Sequence, residues 1–118
     1  MKQRQDLDEL TRKIREFSRE RDWGQFHSPK NLAMAVAAEA GELLEVFMWL
    51  TEDQSKTLGV EKRQAAEDEM SDVLICLVNL ADHLGVDLLS AAAAKLEKNR
   101  AKYPVEKSKG LAKKYDEL

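Results

Sequence analysis

The sequence predicts an all-α fold with a four-helix bundle core, and three observations carry that prediction. Apolar residues recur at steps of three and four, strand-like alternation is missing, and the two prolines and five glycines fall where helices should begin or end. A length of 118 residues suits one helical domain with a modest core, so a site that needs deep burial is expected to borrow walls from a second copy.

The first helix is expected over about residues 6 to 22, where Leu7, Leu10, Ile14 and Phe17 line one face and Arg, Lys and Glu fill the other. After the connector Trp23-Gly24-Gln25-Phe26-His27, Ser28 can cap a second helix whose first turn accepts Pro29. That helix should run to about Leu50. It is apolar nearly all round apart from Glu39, Glu42 and Glu45, a pattern usual in buried helices. The polar stretch Thr51 to Val60 reads as a loop and a candidate lid. A third helix over about 62 to 84 carries Ala66, Met70, Val73, Leu77, Leu80 and Leu84 and stops at Gly85. A fourth, about 88 to 102, is capped by Asp87 and ends before Pro104. We divide the chain into a helical domain, 1–104, and a charged C-terminal tail, 105–118, expected to be mobile or draped on a partner.

Composition narrows the function. The net charge of −3, with acids and bases mixed along the chain, offers no cationic field for a nucleic-acid backbone. No apolar span of membrane length and no leader are seen, and the single Cys76 cannot close an internal disulfide, so a cytoplasmic protein is expected with neither nucleic acid nor membrane as partner.

The acids in apolar helices need an explanation. Glu39 and Glu42 stand one turn apart on one face, and Glu69 and Asp72 repeat the step on the next long helix. If those helices pack antiparallel, four carboxylates face one another. Removing an ionised carboxylate from water costs several kcal/mol, and four together repel. A hard divalent cation resolves both problems, and magnesium, which shares its coordination with substrate phosphates, suits an open carboxylate platform; Mn2+ is the expected substitute. A single Glu-x-x-Glu match is common on solvated helix faces, whereas two pairs embedded in apolar sequence favour metal. Glu45 and Asp68 read equally well as solvated flanks. A di-iron site is excluded because no Glu-x-x-His step occurs, Cys76 in its apolar stretch reads as an inert core thiol, and no phosphate-binding glycine loop is present.

The stretches RDWGQFHSPKNL, EAGELLEVFMW, EDEMSDVLICLVNLAD, NRAKYP and KKYDEL resemble the MazG-like all-alpha nucleoside triphosphate pyrophosphohydrolases, especially the dCTP pyrophosphatase subgroup. The resemblance implies Glu39, Glu42, Glu69 and Asp72 as magnesium ligands and catalytic residues, and a homodimer or dimer-of-dimers assembly. It implies a nucleoside triphosphate, dCTP above all, cleaved between the α and β phosphates. Trp23 and Trp49 would enclose the base, with His27 and Phe47 nearby, although packing alone would make Phe47 a core residue. Lys95, Asn99, Lys102 and Tyr103 would hold the phosphates; by spacing alone they are a solvated basic face at a helix C-terminus. The dCTP-specific relatives carry tyrosine at Cys76 and histidine at Ile14, a departure that points to a looser base preference. Alternatives are the same chemistry on dUTP or noncanonical deoxynucleotides, and a noncatalytic helical adaptor.

Overall fold

The computed structural model describes residues 6–118, so the first five positions of the expected 1–104 domain lie outside the described residues. The elements are α1 (Leu7–Glu20), a 3-10 turn (Gly24–Phe26), α2 (Pro29–Phe47), α3 (Glu52–Ser55), α4 (Val60–Leu84), α5 (Leu88–Lys102), α6 (Val105–Ser108) and a final 3-10 turn (Tyr115–Glu117). Two compact units result, one ending at Val86 and one covering Asp87–Leu118.

In the first unit the caps explain the boundaries. Asp6 accepts the Glu9 amide and Ser28 the Asn31 amide, so each satisfies a donor the first turn leaves unpaired. The turn after α1 passes through Asp22, which takes a left-handed φ of 53° and lets the Trp23 amide bond back to the Ser18 carbonyl at 3.0 Å. Aspartate tolerates that conformation better than most side chains, and here it fixes where Trp23 starts. Gly85, with φ 67°, closes α4 as expected, the Val86 amide reaching the Ala81 carbonyl.

The expected loop from Thr51 to Val60 contains a helix. Thr51 and Gln54 form a reciprocal capping box that starts the single turn α3, a signal the reading of that stretch as unstructured passed over. Helix α2 also ends at Phe47 rather than Leu50.

Packing runs α2 along α4, with α1 on α4. Helices α2 and α4 run antiparallel, since residues near 27 on the α2 side meet 79 and residues near 39 meet 69 and 72. The core is thin: Ile14, Leu32, Ala66, Val78 and Ala81 are its buried apolar residues. The expectation that α2 is buried on most faces is therefore corrected. Met34 and Leu44 remain about 60% exposed because the chain supplies α2 with one long packing partner, α4.

In the second unit Asp87 caps α5 through the Ser90 amide, as expected. The tail is not featureless. It forms α6, and Tyr115 of the last turn meets Tyr103 edge to face at 6.2 Å.

Candidate metal centre and nucleotide pocket

Because α2 and α4 run antiparallel, the two acid pairs meet across the seam. Carboxylate oxygens of Glu39, Glu69 and Asp72 all lie within 4.8 Å of one another. Ligands on opposite sides of a magnesium ion stand about 4.2 Å apart, so little movement would close the set. Glu39 Oε2 and Glu69 Oε2 are shut off from solvent and have no hydrogen-bond partner, a state that costs free energy unless something positive completes it. Burial first, then the neighbouring Glu42 carboxylate, then the charge of Asp72 push Glu39 and Glu69 above the ordinary carboxylate range. Glu42 is exposed, stands outside that set of three, and lies near enough for its carboxylate to raise both. The donor set, all oxygen and all anionic, fits a hard divalent cation. Glu45 and Asp68 are exposed, and Asp68 accepts a bond from Gln64 at 3.0 Å, which leaves it engaged within its own helix.

Directly beside the acids a cavity of about 600 Å³ opens between α1, the Trp23–His27 connector and α4. Asp72 belongs to both, lining the cavity while its carboxylate joins the cluster. Ile14, Phe17, Phe26, Leu32 and Ile75 make most of the wall apolar. Trp23 stands edge-on to Phe17 at 5.6 Å, and the Arg21 guanidinium caps the Phe17 ring at 3.7 Å. These contacts leave Trp23 anchored yet 44% exposed, available to another aromatic surface. His27 lines the cavity as well, and its Nδ1 lies 3.4 Å from the carboxamide nitrogen of Asn79.

The cavity also has residues that sequence reasoning did not select. Asn79 is buried at 7% exposure and Asn31 anchors its amide on the Phe26 carbonyl, and both line the wall. A signal existed for Asn79, the one polar residue in the run Val73–Ala81 of otherwise apolar side chains and Cys76. Cys76 lines the cavity instead of sitting in sealed core, and burial with the charges of Glu39 and Asp72 raises its thiol pKa.

Trp49 is 84% exposed and is not among the residues lining this cavity. Phe47 is half-buried at the end of α2. Lys95, Asn99, Lys102 and Tyr103 belong to the second unit, where Lys95 and Lys102 are exposed and Asn99 is half-buried. There Lys102 Nζ sits 4.8 Å from the Tyr115 ring, and the Asn99 carbonyl accepts the Tyr103 amide at 2.9 Å.

A model of the MazG-like family matches residues 34–118, which hold all four acids. The chain is 46% identical over 114 residues to dCTP pyrophosphatase 1 of Mus musculus and 43% identical to that of Homo sapiens, in each case over 95% of this chain and 67% of the relative. A solved pyrophosphatase from Archaeoglobus fulgidus superposes with a TM-score of 0.79 at 36% identity, covering 88% of this chain and 97% of that one. The chain belongs to the MazG-like family. In this MazG-like protein the family match begins inside α2, so the connector that carries Trp23 and His27 is matched only by the individual relatives. No single helix among the described residues is long and apolar enough to cross a membrane.

Proposed function

We propose that this nucleotide pyrophosphohydrolase hydrolyses dCTP between its α and β phosphates, giving dCMP and pyrophosphate. The observation that carries the reading is the joining, through Asp72, of an oxygen-only anionic cluster to a largely apolar cavity. One half suits a metal-bound triphosphate and the other a base, and the dCTP pyrophosphatase relatives supply the nucleotide.

Glu39, Glu69 and Asp72 would hold Mg2+, with Glu42 beside them. Such an ion, when bound, offsets phosphate charge and lowers the pKa of water. Glu42 or Glu39 would take a proton from the attacking water, and the exposure of the Glu42 carboxylate supports giving it that role. Trp23 and His27 would position the base, while the apolar wall excludes water around it. Trp49 as a second base wall, and Lys95, Asn99, Lys102 and Tyr103 as phosphate contacts, complete the proposal. The assembly we propose is a homodimer or dimer of dimers, supported by Met34, Leu44, Met70 and Trp49, all more than half exposed, on or beside α2 and α4. Within each chain 1–104 is the helical domain and 105–118 its tail, and the cytoplasm is the proposed compartment.

Incubation with dCTP and Mg2+ should release pyrophosphate and dCMP in equal amounts. Release of orthophosphate alone, or of nothing, overturns the assignment. A second reading, the same cleavage on a wider set of deoxynucleotides including dUTP, is favoured by the cavity volume, about 600 Å³ with Cys76 and Ile14 in its wall. Comparing kcat/KM across the deoxynucleotides separates the two.

A further inference from the structure

We propose that Asn79 is the residue that selects the base, and that it selects an amino-bearing base such as cytosine over a keto base such as uracil. The inference rests on the reading of the cavity as a nucleotide pocket. Asn79 is 7% exposed, lines the cavity, and stands on α4 two turns beyond Asp72, so both face the same space. A buried carboxamide in an apolar wall is costly unless each of its polar atoms is engaged. One atom is. The amide nitrogen faces His27 Nδ1 at 3.4 Å, and since an amide nitrogen can only donate, His27 Nδ1 is the acceptor in this arrangement. With its nitrogen turned toward His27, the carboxamide has its oxygen turned the other way.

Among the described residues no donor is bonded to the carboxamide oxygen, and that oxygen is not one of the buried polar atoms sealed from solvent without a partner. The backbone at the same residue is held separately, its carbonyl accepting from His83 Nδ1 at 2.9 Å. An acceptor locked in place in the cavity wall pairs with an exocyclic amino group, and it opposes the carbonyl that uracil carries at the equivalent position. Asn31, the other carboxamide of the wall, lies in the exposed first turn of α2, where water can satisfy its oxygen, so it discriminates less. In this arrangement His27 is a positioning residue: without its ring nitrogen the carboxamide can rotate end for end and present its donor instead.

The test compares wild type with Asn79→Leu and His27→Phe, each first shown by thermal melting to be folded. Two readouts are taken: the ratio of kcat/KM for dCTP to that for dUTP, and calorimetric binding of dCMP and dUMP. Loss of the one acceptor that reads the amino group should lower the cytosine-to-uracil ratio about tenfold or more in Asn79→Leu. His27→Phe should lower it too, by relaxing the carboxamide, an effect that lost packing alone would not produce. Retention of the wild-type ratio in a folded variant of either kind overturns the proposal, as does a wild type that binds dCMP and dUMP alike. A wild type that hydrolyses nothing yet prefers dCMP through Asn79 sinks the reaction and keeps the base reading; an active enzyme with unchanged ratios does the reverse.

Discussion

Along α4, two stretches hold polar groups in opposite ways. Toward the His27 end, Asn79 is held by His27 and His83, and nearby Arg15 on α1 makes a two-pronged pair with Asp82, its Nε donating at 2.7 Å. About three turns away along α4, Glu69 and the facing Glu39 each leave an oxygen out of water with no partner, and the closest charges are those of like sign. The same helix pair therefore carries one stretch that mostly completes itself and one whose carboxylates are left for protons or a bound cation to complete. Stability is expected to reside in the first and chemistry in the second.

The strongest way to break this comparison is to neutralise the acids. Asp72→Asn should lower kcat/KM for dCTP by about a hundredfold or more, since it removes charge stabilisation at the reacting phosphate. In metal-free protein the same change should leave the melting temperature unchanged or raise it, because it relieves repulsion. A variant with full activity, or a clear loss of metal-free stability, would contradict the division of roles.

Next in size is packing at the self-completed end. Leu32, 4% exposed, joins α2 to the core, and Leu32→Ala should cost about 2 kcal/mol or somewhat more in chemical denaturation. Magnesium should then raise the melting temperature of both wild type and Leu32→Ala, and of Asp72→Asn far less, as expected for a ligand that binds only the folded state.

The pH dependence sharpens the contrast, because the two stretches have opposite signs. Asp82 is pulled below the ordinary carboxylate range, first by its hydrogen bond from Arg15 and then by that charge, against the effect of burial. Its contribution is present above the ordinary range and is lost as pH falls through the depressed value. Glu39 and Glu69 are raised, so the folded chain holds their protons more tightly than the unfolded one. Without metal, stability should fall as pH rises from the ordinary carboxylate range through those raised values. Melting curves with a chelator present should show Asp82→Asn flattening the acid side and Glu69→Gln flattening the other. The smallest effect is expected outside the seam. Thr51→Ala removes the cap of the single-turn α3 and should cost about 1 kcal/mol or less, with unchanged magnesium response.

What the sequence revealed follows the range over which its signals act. Helix α5 was legible to the residue, because Asp87 at one end and Tyr103-Pro104 at the other are local stop signs. The acid pairs were legible because a charge in an apolar helix is anomalous wherever the helix goes. The exposure of α2 was not, since that depends on how many partners one chain supplies. Cys76 and Ile14 were noted as departures from the dCTP-specific relatives, and the structure puts both in the cavity wall. The role of Asn79 depends on His27, which is far from it in sequence and meets it only after folding. Periodicity along one helix carries no record of such a meeting.

Asp72 and Asn79 share one uninterrupted helix, and that turns α4 into a measuring rod. Seven residues at 1.5 Å each set them about 10.5 Å apart along the axis, and nearly two full turns keep them on one side. The interval between the phosphate chemistry and the base reading proposed for them would then be set by helical rise, which is stiff, and not by loop closure. Changing one residue type at either end alters what is read there. Inserting one residue between them would swing Asn79 by about 100° out of register and so uncouple the two ends.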